Sequence, residues 1–298
     1  VIGLGLHFIG TDGSAWDLRD VANFANVYVT DGGIQGLGMA PLKFFTREGA
    51  VSDGETVTGF KTERRKVFLP CLIGRGSSPT EFLELSTRWW RANEPGEYAQ
   101  LQAILPNGEM RTLSMRFNDD GGAAHDQDPL LEGAELVGIT YYADEDPFWH
   151  GPAVKRVFGS NASSDNFFGG ATGLAPDFVI SSDYSTANAT FDNPGNVDAW
   201  PTYILAGPLS YSIRTGGGLI EGPALAVGDT LVIRTEQRYQ DAILTRADGS
   251  VTNITPDLTS IDFRPIPKGG SVPLMLTTTG SGSVTVIVEP RYTRAYGS

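Results

Sequence analysis

Four aspartates, Asp119, Asp120, Asp126 and Asp128, share one short stretch with Gly121 and Gly122. Hard carboxylate oxygens at that density are what a calcium ion accepts. The stretch lacks the loop pattern with a closing Glu, and solvated loop acids are the commoner outcome of such clustering. Asp144, Glu145 and Asp146 form a second acidic group before Pro147. A carboxylate pair hydrolyses a glycosidic bond only when two of them face each other across a cleft, which spacing in sequence does not decide. His7, His125 and His150 have no partner at metal-ligand spacing and Cys71 stands alone, so a zinc site is not expected. Gly3 and Gly5 hint at a glycine loop, but the pattern is short and no strand precedes it. No Gly-x-Ser-x-Gly elbow or Walker loop occurs. The reading is no catalytic residue, no metal and no cofactor, which turns attention to the elements themselves.

At 298 residues the chain is long for one sandwich and comfortable for two domains. A hydrophobic content of 40% is enough for real cores. The 37 Gly and 18 Pro are scattered rather than periodic, as in many short strands joined by tight turns. No run approaches the roughly 20 apolar residues of a membrane span, and the opening residues do not read as a basic-then-apolar leader. Cys71 lies in the apolar run Val67–Ile73 and reads as a buried, inert thiol, consistent with assembly in a reducing cytoplasm. The net charge is −13, which disfavours phosphate binding by the chain as a whole. Residues 1–155 carry 13 Lys and Arg against 22 Asp and Glu, so most of the surplus sits in the first half. Lys61, Arg64, Arg65 and Lys66 form the one basic cluster, read as a solvated or intersubunit patch.

The first half is strand-rich. Val27–Thr30, Thr56–Lys61 and Arg65–Ile73 carry β-branched or aromatic residues between Gly and Asp breakers. Ser78-Pro79-Thr80-Glu81 is a capping box, and Phe82, Leu85, Trp89 and Trp90 follow at helical spacing, which predicts one amphipathic helix over 79–93. A hairpin follows, Tyr98–Leu105 and Met110–Phe117 about Asn107-Gly108. Residues 118–130 read as a loop and Leu136–Tyr142 as a strand. Beyond a boundary at 150–156 the stretch 159–177 is rich in Gly, Ser and Asn. Strands then recur at Thr202–Leu205, Leu209–Arg214, Leu231–Thr235, Ala242–Thr245, Ser260–Arg264, Leu274–Thr278 and Ser283–Glu289. With no capped helix among them, that is the pattern of a β-sandwich. The turn at Asn193-Pro194-Gly195 leads to Trp200-Pro201, read as a buried aromatic opening a strand that ends at Gly207-Pro208.

This last passage resembles one that recurs in siphophage distal tail proteins, the Dit-like phage tail family. Other pieces are similar in order along the chain: Asp12-Gly13 with Trp16 and Leu18, Gly36-Leu37-Gly38, Arg65–Pro70, Pro106-Asn107-Gly108 with Arg111, and Asp146-Pro147-Phe148-Trp149. Gly228–Thr235, Phe263, Pro267, Gly269 and Arg291-Tyr292 continue the series. The stretches 118–128 and 159–173 depart from it.

The resemblance implies a mainly β chain. Residues 1–153 would form a tail-tube-like β-barrel or sandwich with one flanking helix, and residues 154–298 a galectin-like or carbohydrate-module-like β-sandwich. It further implies a structural virion protein, assembled in the host cytoplasm, forming a hexameric ring at the distal end of a long non-contractile tail. Its partners would be other copies, the tail tube protein, the tip or hub protein and the tape measure protein, with DNA passing through the ring unbound and no membrane insertion. Asp146, Pro147 and Trp149 are assigned to closing the first domain, and Asn193, Pro194, Gly195, Trp200, Pro201, Gly207 and Pro208 to folding the second. Lys61, Arg64, Arg65 and Lys66 are the candidate ring contacts. Acids lining the channel would repel passing DNA. The competing reading is a carbohydrate-binding module contacting host glycans, with Tyr184, Tyr211, Tyr239 and Tyr292 as exposed platforms.

Overall fold

A computed structural model describes residues 3–20, 22, 26–30, 33–49, 53–121, 128–159, 178–181 and 186–297, with 178–181 and 186–188 as backbone alone. Asp126, His125, Tyr184 and nearly all of 159–177 lie outside the described residues. The chain divides into two compact units, Val1–Gly151 with Tyr292–Ser298, and Pro152–Arg291. The last residues thus belong with the first unit, a return that no local sequence signal marks.

In the first unit the strands are β1 (Gly5–Ile9), β2 (Ala15–Asp17), β3 (Val27–Val29), β4 (Leu42–Glu48), β5 (Glu55–Thr62), β6 (Arg65–Ile73), β7 (Tyr98–Ile104), β8 (Met110–Asp119), β9 (Glu135–Ala143) and β10 (Trp149–His150). The helices are α1 (Pro79–Arg91) and α2 (Pro129–Glu132). One sheet runs β2-β1-β7-β8-β9-β6-β3, and its ends approach because the Val29 amide donates to the Leu18 carbonyl at 2.9 Å. The sheet is therefore nearly a closed barrel, which removes most of its open edge. Alternation sets the inner face: in β6, Val67, Leu69, Cys71 and Ile73 are fully buried while Lys66 is exposed.

Helix α1 covers one side of that core with Phe82, Leu85 and Trp89. It begins as its sequence predicts. The Ser78 side chain accepts from the Glu81 amide, and the Glu81 carboxylate accepts from the Ser78 amide at 2.9 Å. Trp89 then packs edge-on to Trp16 with centroids 5.3 Å apart, and lies 5.1 Å from Phe8. Trp90 is only partly buried against the same core and meets Phe117. The short α2 falls in the stretch read as a loop. Asp128 caps it by accepting from the Leu130 amide, and Gly133 ends it at φ 61°. The start read as a glycine hint is strand β1.

The second unit holds β11 (Val154–Gly159), β12 (Phe178–Ser181), β13 (Thr186–Asp192), β14 (Thr202–Ala206), β15 (Ser210–Thr215), β16 (Gly218–Glu221), β17 (Thr230–Arg234), β18 (Asp241–Thr245), β19 (Val251–Asn253), β20 (Ser260–Ile261), β21 (Ser271–Thr279) and β22 (Ser283–Val288). A further strand, β23 (Arg291–Tyr292), spans the division between units and pairs with β10. Sheets β12-β11-β22-β14-β17-β18-β19 and β13-β21-β15-β16-β20 supply the two inner faces of one core. Leu205, Leu231, Ile233 and Val286 come from the first sheet, Ile213, Leu274 and Leu276 from the second. The fold is mainly β with a flanking helix, as the sequence indicates.

Candidate assembly surface

Among the described residues, strands β4 and β5 pair only with each other and form an arm separate from the main sheets. Their pattern is not that of a half-buried hairpin: Phe44 is 54% exposed, Val57 57% and Phe60 64%. Register sorts the side chains onto two faces. Phe44 lies opposite Phe60 and Thr46 opposite Val57, with the two rings 6.1 Å apart. On the other face Lys43 lies opposite Lys61, Phe45 opposite Gly59 and Arg47 opposite Thr56. A bulge at Phe45/Thr46, where the Thr58 hydroxyl donates to the Phe45 carbonyl at 3.0 Å, preserves this sorting across the irregular step. One exposed face is thus aromatic and the other basic. Such concentrated apolar exposure is of the kind that contact surfaces carry.

The four residues of the basic cluster separate in space. Lys61 and Lys66 are exposed, and Arg64 lies over the Tyr142 ring at 4.1 Å. Arg65 turns inward, 1% exposed, and is not part of a surface. Its Nε donates to the Pro147 carbonyl at 2.7 Å, Nη1 to the carbonyls of Gly36 (2.7 Å) and Gly38, and Nη2 to the Thr293 carbonyl at 2.8 Å. Burial pulls its pKa down to about 10 against the attraction of Asp146, so the guanidinium stays charged at neutral pH. The inward turn has a local cause: Arg65 opens β6 on the same face as Val67 and Leu69. Sequence placed it with its charged neighbours, whereas strand alternation separates it from them.

A second arginine acts likewise. Arg111 is 3% exposed, stacks on Tyr292 at 3.7 Å, and donates through Nη1 to the carbonyls of Arg294 and Gly297, both at 3.0 Å. The Ala295 amide donates to the Leu37 carbonyl at 2.9 Å. The returning tail is therefore held by two buried arginines, and motif pieces far apart in sequence meet there. Asp146 accepts from the Phe148 amide at 3.0 Å and lies 3.1 Å from His150 Nε2, while Trp149 is fully buried. Asp144 accepts from the Tyr98 hydroxyl at 2.8 Å and from Arg116 Nη2 at 2.7 Å. Partial burial would raise its pKa, but these bonds and the Arg116 charge prevail and hold it below the ordinary value. Two of the three acids of this cluster, Asp144 and Asp146, are thus engaged in structural contacts.

In the second unit Asn193 is buried. Its Nδ2 donates to the Val197 and Ile266 carbonyls at 2.9 and 3.0 Å, and its Oδ1 accepts from the Gly195 amide at 2.9 Å. A Cβ on Gly195 would stand 2.3 Å from the Arg291 carbonyl oxygen, so the turn admits only glycine. Pro194 is exposed and Pro201 buried, its carbonyl accepting from Thr235 Oγ1 at 2.7 Å. Trp200 differs from its reading: it is half-buried, and Ala199 beside it takes the fully buried position. Gly207 and Pro208 are joined by a cis peptide bond, and a Cβ on Gly207 would meet the Ala226 carbonyl oxygen at 2.0 Å.

The other candidates are placed as follows. Burial pushes the Cys71 thiol up to about 12. Among the described residues no group of three or more His, Cys, Asp or Glu side chains could hold a metal ion. Asp128 serves the α2 cap, and Asp119 accepts from the Gly121 amide at 3.0 Å. Tyr211 and Tyr292 are buried, and Tyr239, at 41% exposure, has Arg234 above its ring. Of the three described tyrosines offered as platforms, only Tyr239 is exposed.

With this geometry the chain resembles known structures over nearly its whole length. The SPP1 Dit protein, a paradigm of the hub adsorption apparatus in phages infecting Gram-positive bacteria, superposes with a TM-score of 0.58 at 14% identity, covering 97% of this chain and 99% of that one. The chain shares the Dit fold. The phage P2 baseplate in its activated conformation gives TM-scores of 0.54 with calcium and 0.55 with strontium, at 12% and 11% identity. Each covers 97% of this chain and 98% of the baseplate chain. No family model and no curated protein matches the sequence. The Dit fold therefore persists here with little of the sequence in common, which is what a fold fixed by alternation, turns and a few buried polar anchors allows.

Proposed function

We propose that this chain is a structural, non-enzymatic subunit of a phage tail end, in which identical copies close a ring joining the tail tube to the tip or hub. The observation that carries this reading is the match of both units, in one alignment, to the Dit hub protein and the P2 baseplate chain. The ring is hexameric, surrounds the path of DNA and tape measure protein, and sits at the distal tip of the virion. The first unit, with the returning residues 292–298, supplies the ring, and the second unit an outer sandwich. The exposed β4–β5 arm fits this role, because a ring of identical copies needs a heterologous contact, one surface on each copy meeting a different surface on the next. An arm with two exposed faces and, among the described residues, no partner strand beyond its own pair is a surface of that kind. Lys61, Arg64 and Lys66 stand at its base as ring contacts. The acid surplus of the first half would keep a passing polyanion from adhering.

Native mass measurement and electron microscopy of the purified full chain test this, alone and with its tail-tube partner. Closed rings are expected, and replacing Phe44 and Phe60 by Asp should abolish them while leaving each unit folded. A chain that stays monomeric alone and with its partner, and is missing from the tail end of imaged virions, overturns the reading.

A further inference from the structure

The arm carries two unfavourable pairings. Lys43 lies directly opposite Lys61 and Glu48 directly opposite Glu55, and like charges facing each other across strands cost stability. Neither lysine forms an ion pair among the described residues, and Arg47 adds a third cation to the Lys43–Lys61 face. Phe45, 46% exposed, sits among them. Elsewhere in the first unit α1 and α2 pack against one another, yet Leu83 is 56% exposed, Leu130 43% and Leu131 81%. Glu84 and Glu132 are exposed beside these leucines and also lack ion-pair partners among the described residues. A two-turn-or-longer helix that leaves a leucine on its outer flank, with a four-residue helix leaving two more, is not explained by the core those helices cover.

Resting on the ring reading above, we propose that the leucine-bearing surface of α1 and α2 around Glu84 and Glu132 on one copy is the seat for the basic face of the β4–β5 arm of the next copy. Lys43, Arg47 and Lys61 meet Glu84 and Glu132, and Phe45 with the aliphatic stems of the lysines covers Leu83, Leu130 and Leu131. The charges match in sign, and the aliphatic stems match in kind. The arm and its seat lie at different places on the same unit, so the contact propagates from copy to copy in one direction, as a ring requires. It also relieves the Lys43–Lys61 repulsion only upon assembly, which makes the arm a poor partner for itself.

The test uses the full chain. The pair Phe45→Cys and Leu131→Cys, mildly oxidised, should give a ladder of disulfide-linked multimers, with neither single variant going beyond a dimer. Cys71 is fully buried and stays out of the reaction. Separately, Lys43→Glu with Lys61→Glu should lower assembly on the order of tenfold or more, and adding Glu84→Lys with Glu132→Lys should restore it. Multimers that form normally but give no ladder, or that the second pair of reversals fails to restore, overturn this seat while the ring reading stands. A cross-link confined within one chain also overturns it. A wild-type protein that remains monomeric with its partner removes the ring reading and this assignment together.

Discussion

Replacing Arg65 by Met removes four hydrogen bonds at once and keeps most of the aliphatic volume. The carbonyls of Gly36, Gly38, Pro147 and Thr293 would lose a charged donor inside a site that is 1% exposed. A hydrogen bond to a charged group contributes about 1.5–3 kcal/mol, so simple addition would overshoot. Removing the guanidinium also removes the cost of keeping a charge out of water, and that offsets part of the loss. A buried acceptor left without a partner costs about 1–3 kcal/mol, and with that offset we expect about 4 kcal/mol in total here. For a unit of this size that lowers Tm by on the order of 10 °C. Calorimetry of the full chain resolves it, because only the transition of the first unit should move. Arg65→Lys should recover less than half of the loss, since an ammonium has three donors and no planar fork to reach four fixed oxygens. A loss below about 1 kcal/mol for Arg65→Met would refute the view that this side chain holds the unit together. Equal stability of the Lys variant would show that charge alone, and not the fork, is what the four carbonyls require.

Deleting residues 292–298 should destabilise the first unit and leave the second nearly unchanged, because Arg111 then loses Tyr292 and two carbonyl partners and Arg65 loses Thr293; equal effects on both calorimetric transitions would contradict this. Asn193→Ala should do the reverse, costing the second unit about 3 kcal/mol by leaving the Gly195 amide and two carbonyls without their partner, as read by urea unfolding. For Asp144→Asn the effect depends on pH. The folded-state pKa of Asp144 is depressed, so its stabilisation is present above the unfolded value near 3.8 and is lost as pH falls through the folded value. Its partners are partly exposed, so the gap from wild type should be only about 1 kcal/mol at neutral pH, closing below pH 4 in acid-unfolding curves. A gap that is constant with pH would mean that the Arg116–Asp144 pair contributes nothing through charge.

Much of the secondary structure was legible. The capping box fixed where α1 begins, β6 was read at its observed ends, and Asn107-Gly108 gave the β7–β8 hairpin. These signals act across a few residues, where cap, turn and period constrain the backbone directly. The misses were elements without such signals. Strand β1 was obscured by its glycine-rich approach, α2 is a single turn marked only by Asp128-Pro129, and β20 covers just part of the 260–264 strand. Trp200 was expected to be buried because it is large and apolar, but position along the chain placed Ala199 inward instead.

The sequence by itself determined a mainly β chain with one amphipathic helix, an architecture of turns and buried aromatics, and a strand in the β5 segment. Only the tertiary structure decided which charges work inside and which face solvent. Arg65 and its neighbours Arg64 and Lys66 look alike as a string, yet one anchors carbonyls up to 228 positions away and the others do not. Equally, the β5 segment reads as an ordinary strand, yet among the described residues it pairs only with β4, and Phe60 is exposed. The physical reason is the same in both cases. Propensity and period are settled among neighbours, whereas burial is settled by which distant segment arrives to exclude water, and among the described residues none arrives over the outer residues of the arm.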